Sequence, residues 1–426
     1  MNDSATAFND PALWRQPAQG CAVPYAAFLD PVGYALEQER IFRGKTWSFI
    51  GLASEIPESG DFKATAVGET PVIMVRTRQG GINVLQNRCA HRGALVCREP
   101  RGNASRLTCV YHQWTYDLEG RLRGVPFREG ISGRGGMPET FDIAQHALRP
   151  LRVESVADMV FATFSDEVTP LRDYLGEMVV SSIERIFNRP IMVLGDQRQF
   201  MHGNWKLYAE NTRDPYHASL LHLFHNTFGL YRSSQQGACL MDQQHRHSML
   251  YTRAGSSDAA VDAEVYRDSR SMDAGYRLSD PSLLAGRPEF DDGITLVILS
   301  IFPNVVVQQI QNTLAVRQIV THGVGAMELI WTHFGYADDD ADMQGIRDKQ
   351  SNLIGPGGLI SMEDGEAVEI VQKAICRDHE QRSYIAMGGG RAEDAEHLVT
   401  ESAIIGFWET YADLMGISLS EETAAS

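Results

Sequence analysis

The chain carries Cys89-Ala90-His91 and then, after 17 intervening residues, Cys109-Val110-Tyr111-His112, and the reading of these two segments decides the fold of everything around them. Each segment offers one thiol and one imidazole. Upstream, Phe62-Lys63-Ala64-Thr65-Ala66-Val67 and Pro71-Val72-Ile73-Met74-Val75-Arg76 flank Gly68-Glu69, and Gly80-Gly81 leads into Ile82-Asn83-Val84-Leu85. Downstream, Gln113 to Tyr116 and Arg121 to Val125 flank Asp117-Leu118-Glu119-Gly120. Short β-rich runs punctuated by turn residues predict a small all-β domain. We place it over residues 46–165.

Thiolates suit zinc or an iron–sulfur centre, and imidazole suits both. Structural zinc fingers tend to pair Cys with Cys and His with His. The alternating order here matches a Rieske [2Fe–2S] centre, where two histidines replace two cysteines on one iron. Neutral ligands in place of anionic ones make the cluster accept an electron more readily. A Cys2His2 zinc site is the alternative. The other four cysteines, Cys21, Cys97, Cys239 and Cys376, read as free thiols.

Beyond this domain the pattern changes. The chain has 426 residues, enough for two or three domains. It is 43% hydrophobic and 22% charged, a folded composition. A net charge of −17 argues against binding nucleic acid or a polybasic contact with a membrane surface. Met1-Asn2-Asp3-Ser4-Ala5-Thr6 lacks the basic and apolar regions of a secretory signal, and no apolar run reaches membrane-spanning length, so a cytoplasmic location is expected. Helical periods occupy 31–42, 171–187, 214–226, 363–375 and 401–416, with strand-like runs at 294–301, 304–310, 313–320 and 326–335. Strands clustered between helices predict an α+β domain over 166–426, built on an antiparallel sheet covered by helices. Residues 1–45 are expected to pack on it as an N-terminal segment. The polar run 254–292 reads as a long surface excursion, and His245 and His247 as one face of a strand.

A second dense site begins at Asn204-Trp205-Lys206 and runs through Glu210-Asn211-Thr212-Arg213-Asp214-Pro215-Tyr216-His217 to His222. Asp214-Pro215 reads as an N-cap followed by proline at the first helical position. His217 and His222, five apart on one helix, would diverge by about 140°. They share a metal only if it lies close to the helix or the turn is distorted. His202 and His225 read as structural or lining side chains.

Asn87-Arg88-Cys89-Ala90-His91-Arg92-Gly93 with Cys109-Val110-Tyr111-His112-Gln113-Trp114, followed by Asp-x-x-His-x-x-x-x-His, resembles the Rieske non-haem iron aromatic ring-hydroxylating oxygenases, α subunit. Respiratory Rieske proteins carry an extra cysteine in each ligand loop, and here Ala94 and Tyr111 stand instead. Cys97 is then an unpaired core residue. The resemblance implies a [2Fe–2S] cluster on Cys89, His91, Cys109 and His112, and mononuclear non-haem Fe(II) on His217, His222 and a later carboxylate. In Gly355-Pro356-Gly357-Gly358-Leu359-Ile360-Ser361-Met362-Glu363-Asp364-Gly365-Glu366 that carboxylate is Asp364, with Glu363 and Glu366 solvated or structural. Two histidines and one carboxylate leave open positions on iron for oxygen chemistry. The resemblance also makes Asp214 and Asn211 catalytic residues, with Asp214 bridging His217 to His112 of a neighbouring subunit. It implies a homotrimer, α3 or α3β3 with a small β subunit. No Gly-x-Gly-x-x-Gly or P-loop pattern follows a strand, so a ferredoxin, a reductase or both are expected to supply electrons.

Over nearly its whole length the chain is similar to the large subunits acting on salicylate, anthranilate and terephthalate, including His397-Leu398-Val399-Thr400-Glu401-Ser402 and Trp331-Thr332-His333-Phe334-Gly335-Tyr336. An apolar pocket is expected around Leu207, Leu220, Leu221, Phe224, Ile301, Val305 and Val307, with Gln309, Gln311 and Arg317 as polar anchors. An arginine fork grips a carboxylate bidentately, though Arg317 could equally pair with an internal acid. A dicarboxylate would want a second buried cation, and near Leu398 there is only His397. The expected substrate is therefore a monocyclic aromatic monocarboxylate such as anthranilate or salicylate, with terephthalate or another benzoate as the alternative. Outside this class, the rivals are a Rieske electron carrier and a zinc-stabilised binding protein.

Overall fold

The computed structural model describes residues 7–253, 255, 257–273 and 275–420. The first six residues, read above for a signal, lie outside that range. Two compact units emerge: one spans Phe42–Leu171, and the other joins the residues up to Ile41 with those from Arg172 onward. Among the described residues no helix is long and apolar enough to cross a membrane.

The first unit is all-β with short 3-10 turns. Thr70–Arg76, dense in β-branched residues, pairs antiparallel with Asp61–Val67 on one side and Ile82–Gln86 on the other. Arg101–Asn103 completes that sheet. Leu107–Thr108, Thr115–Tyr116 and Leu122–Gly124 form a second sheet, and Arg152–Val156, Met159–Thr163 and Ser48–Leu52 a third. Side chains Ile73, Val75, Leu85, Trp114, Tyr116 and Leu122 close a core around Cys89 and Cys109. Beneath it Glu55 is buried against Lys63 (2.8 Å) and Arg101 (2.6 Å). Burial alone would raise its pKa, but these two cations hold it below the usual carboxylate value.

The second unit is built on seven antiparallel strands, in the order Ile191–Met201, Met327–Tyr336, Thr313–Thr321, Val305–Ile310, Ile294–Ile301, Ser248–Arg253 and Gly237–Met241. Four adjoining strands are those the hydrophobic runs predict, while the strands on either side of them lie outside those runs. Helices Leu171–Ile186, Trp205–Asn211, Ala341–Ile354, Leu359–Ile375 and Ser402–Met415 accompany the sheet. The N-terminal segment belongs to this unit: Cys21–Pro24 pairs with Arg382–Ile385, and Trp14 stacks on Tyr411.

One buried cluster locks the helix that carries the second site. Asn204 caps it, accepting from Lys206 N–H, and donates through Nδ2 to the carbonyls of Phe28 and Val324. Glu37, fully buried in helix Pro31–Glu37, accepts from Lys206 Nζ (2.5 Å), Trp205 Nε1 (2.7 Å) and the Tyr411 hydroxyl (2.7 Å). Thus Asn204-Trp205-Lys206 ties the helix to both ends of the chain. At Gly203 an added Cβ would stand 2.4 Å from Val368 Cγ1, so glycine permits helix Leu359–Ile375 to approach this closely.

Two expectations are corrected. The run 254–292 is not merely a surface excursion. It contains helix Ala259–Val265, and its buried Tyr266 and Ser271 bond Ser219 from beneath, at 2.8 Å to the hydroxyl and 2.6 Å to the carbonyl. Nor do His245 and His247 form a strand face. They lie in the turn before Ser248, where His247 is fully buried, takes the Phe302 N–H on Nδ1 and bonds the Tyr174 carbonyl through Nε2.

Candidate functional site

The two cysteine loops of the β unit close alike. Cys89 N–H donates to Ala94 O (2.8 Å) and Gly93 N–H to Cys89 O (3.0 Å); Cys109 N–H donates to Trp114 O (2.9 Å) and Gln113 N–H to Cys109 O (2.9 Å). In each loop the residue four beyond the cysteine has positive φ, 76° at Gly93 and 57° at Gln113. The loops therefore repeat one geometry despite their different Cys–His spacing. Cys89 and Cys109 are buried, whereas His91 is exposed and His112 half-buried, their rings 4.5 Å apart. His91 stacks on Trp114 at 4.8 Å. The Tyr116 hydroxyl accepts from Ala90 N–H (3.0 Å), which leaves its proton for Cys89 Sγ at 3.3 Å.

Burial and the adjoining Cys89 push the Cys109 thiol up, so ionising both sulfurs requires positive charge between them. Thiols inside and imidazoles at the surface are the donor set of a [2Fe–2S] centre with its histidine-bound iron outermost. Among the described residues, three donor atoms within 4.8 Å of one another occur only at His217, His222 and Asp364. The four donors of the β unit are spaced more widely than one zinc ion's shell requires.

In the second unit the expected continuous helix is broken. Asp214 Oδ1 accepts from the N–H of Tyr216 (2.8 Å) and His217 (3.1 Å), starting a turn that leads into Ala218–Leu221. His222 then adopts an extended backbone, φ −86° and ψ 98°, before Leu223–Phe228 resumes the helix. This break removes the 140° divergence. The two rings stand 5.4 Å apart, with His217 Nε2 3.4 Å and His222 Nε2 3.2 Å from the same Asp364 Oδ1.

The remaining ring nitrogens face carboxylates too. His217 Nδ1 lies 3.3 Å from Asp214, and His222 Nδ1 is bonded to Glu363 at 2.8 Å. Such partners fix ring orientation and raise ligand basicity. Glu363, expected to be solvated or structural, is thus a partner of the site. Asn211 Nδ2 donates to Asp364 Oδ1 (3.0 Å) and lies 3.4 Å from His217 Nε2. Burial alone would lower the His217 pKa, but Asp214 and Asp364 outweigh it and hold it up to about 10. The His222 imidazole is also raised, because Asp364 and Glu363 outweigh its burial. These carboxylates call for a cation on the imidazole side, and a divalent metal on two histidines and one carboxylate meets that demand.

A cavity with about 470 Å³ of empty space, partly open, adjoins these residues. Its apolar wall comes from Ala218, Tyr231, Leu250, Leu296, Ile298, Ile310 and Ile360, and its polar groups include Thr212, His225 and Arg317. Arg317 is 4% exposed and lies over the Trp331 ring at 4.2 Å. It donates to the Tyr208 hydroxyl (2.9 Å) and to Gln308 Oε1, and its Nε has no partner. Among the described residues no carboxylate pairs with it, which removes the internal-acid alternative.

Other expected substrate residues lie elsewhere. Gln309 is on the opposite face of the sheet from Gln308, accepting from Arg185 Nη1 and donating to the Ile294 carbonyl. Leu220 is 44% exposed, and neither it nor Leu221 lines the cavity. Leu207, Phe224, Ile301, Val305, Val307 and Gln311 are likewise absent from the wall. Strand alternation was available as a signal. Without register it could not show that Leu250, Ile298 and Gln308 lie in one row across three strands.

The chain matches a model of the Rieske [2Fe-2S] domain over residues 46–137 and one of the ring hydroxylating alpha subunit (catalytic domain) over residues 191–416. It is 51% identical over 397 residues to the anthranilate 1,2-dioxygenase large subunit of Burkholderia cepacia, covering 93% of this chain and 94% of the relative. Identity is 45% over 401 residues to the terephthalate 1,2-dioxygenase terminal oxygenase component subunit alpha 2 of Comamonas sp., covering 94% and 96%. It is 41% over 407 residues to the salicylate 5-hydroxylase large oxygenase component of Ralstonia sp., again covering 94% and 96%. The solved structure of naphthalene 1,2-dioxygenase from Rhodococcus sp. bound to indole shares the fold, with a TM-score of 0.76 over 92% of this chain and 94% of that one at 24% identity. With cluster domain and catalytic domain in this order, and relatives matched almost end to end, the chain belongs to the Rieske-type aromatic ring-hydroxylating oxygenases as the large, α subunit of a terminal oxygenase.

Proposed function

We propose that this subunit hydroxylates a monocyclic aromatic carboxylate bearing an ortho amino or hydroxyl group, anthranilate or salicylate. The observation that carries this reading is Arg317. It is a buried guanidinium that shares a cavity with the two-histidine, one-carboxylate cluster and has only neutral partners. An unpaired buried cation is costly, and a substrate carboxylate offsets that cost. The guanidinium would hold the acid end while Leu296, Ile298 and Ile310 exclude water from the ring. Relatives of similar identity are named for anthranilate and terephthalate. The cavity wall offers one guanidinium and no lysine, which favours a monocarboxylate over terephthalate.

In this reading Cys89, His91, Cys109 and His112 hold the [2Fe–2S] cluster, and His217, His222 and Asp364 hold Fe(II). When bound, the cluster supplies single electrons and the iron supplies oxygen activation. Asn211 steadies Asp364 by its hydrogen bond, and Asp214 orients His217. Asp214 would also take His112 of the partner subunit in an α3 or α3β3 trimer. A ferredoxin, a reductase or both would deliver the electrons. Incubation with anthranilate, salicylate, benzoate and terephthalate plus a reductase system, followed by product analysis, tests the substrate. Exclusive hydroxylation of terephthalate would overturn the reading.

A further inference from the structure

His225 lines the cavity beside His222, with ring centroids 5.0 Å apart, yet it is not one of the three clustered metal donors. It is 4% exposed, and neither ring nitrogen has a hydrogen-bond partner. The Ala218 carbonyl stands nearby, outside hydrogen-bonding geometry. A neutral imidazole offers one N–H and one acceptor nitrogen.

Other polar groups of the wall are already engaged. The Tyr231 hydroxyl donates to Pro215 O (2.8 Å), Asn211 donates to Asp364, and Thr212 Oγ1 accepts from Ser300 Oγ (3.1 Å). His217 Nδ1 faces Asp214 at 3.3 Å, so Arg317 and His225 are the wall groups outside the metal cluster with unmet bonding capacity. Buried polar groups left unmet in a binding cavity are positions where a ligand completes the set.

We propose that His225 is a specificity-determining residue, whose acceptor nitrogen takes a hydrogen bond from the ortho amino or hydroxyl group of a substrate whose carboxylate lies on Arg317. With Ala218 O as the acceptor nearest its N–H, the other ring nitrogen is left for a ligand in the cavity that His225 lines. A neutral acceptor selects N–H and O–H donors, the property that anthranilate and salicylate share and benzoate lacks. The inference rests on the substrate reading above.

Anaerobic calorimetry on the holoenzyme, with 2-aminobenzoate, 2-hydroxybenzoate and benzoate as probes, tests it. The unaltered enzyme is expected to bind the two ortho-substituted acids roughly tenfold more tightly than benzoate. His225→Phe should bring that ratio close to one, and His225→Gln, which retains an acceptor, should keep part of it. Iron content and the visible cluster spectrum are recorded for each variant. If phenylalanine displaces iron, the ratio in His225→Gln and His225→Ala decides instead, alanine removing the preference and glutamine keeping it. A preference that survives in both His225→Phe and His225→Ala overturns the role of His225 alone. No preference in the unaltered enzyme overturns this role and the substrate reading together.

Discussion

An arginine in Leu314-Ala315-Val316-Arg317-Gln318-Ile319 stands out on an apolar strand, and the sequence pointed to it for that reason. Whether an internal acid neutralised it depended on the fold, which surrounds it with Tyr208, Gln308 and Trp331. Arg317→Met should raise KM for an aromatic carboxylate by roughly 10- to 100-fold with a smaller change in kcat, since a charge-assisted bond is lost. Arg317→Lys should recover only part of this, because lysine lacks the fork. A KM unchanged in Arg317→Met would exclude carboxylate binding there.

Glu210 gives a pH-dependent prediction at the same scale. It is half-buried, and its carboxylate accepts a hydrogen bond from Trp408 Nε1–H at 2.6 Å. Burial raises its pKa from the ordinary 4.5 to about 8. An unfolded chain releases this proton near pH 4.5 while the folded one retains it, so its contribution to stability falls as pH rises toward 8. Glu210→Gln keeps an acceptor for Trp408 and removes that slope. The melting temperature of Glu210→Gln relative to the unaltered protein should therefore rise between pH 6 and pH 8, by the equivalent of at most about 1.4 kcal/mol per pH unit. A difference independent of pH would mean that Glu210 is already ionised in the fold.

At the scale of elements, type was more legible than pairing or interruption. Buried strands announced themselves by β-branched runs, and the cysteine loops by their turn residues. Hidden from the sequence was the break at His222, because Ala218 to Phe228 contains neither glycine nor proline. Ser219, Tyr266 and Ser271 form the packed network beneath it, and two of these residues are more than 45 positions further along the chain. Lys206 was equally opaque, since its partner Glu37 is 169 residues away. Lys206→Met should destabilise the protein by about 3–5 kcal/mol, for it strands a buried carboxylate. The double variant Lys206→Met with Glu37→Gln should regain part of that loss in denaturant unfolding. An additive outcome would show that the buried pair is not coupled.

At the scale of the whole molecule, cluster and catalytic iron belong to separate compact units, so their contents are separately removable. The unaltered enzyme should hold about three irons per chain, two in the cluster and one at the two-histidine site. His217→Ala should lose the third and all hydroxylation while keeping the cluster's visible spectrum. A zinc-containing, colourless protein would refute both assignments. In the proposed trimer Asp214 would be the link between the two centres. Its Oδ1 is occupied by the N–H groups of Tyr216 and His217, whereas Oδ2 faces His217 Nδ1 and remains partly exposed. A carboxylate that only capped the turn would be replaced by asparagine with little effect on electron delivery, because an amide oxygen can accept the same backbone protons. A carboxylate that also links a cluster histidine to His217 would not be replaced by it. Asp214→Asn should therefore fold and bind both metals, yet oxidise its reduced cluster far more slowly when substrate and oxygen are mixed in a single turnover. Cluster oxidation at the unaltered rate would reduce Asp214 to a cap.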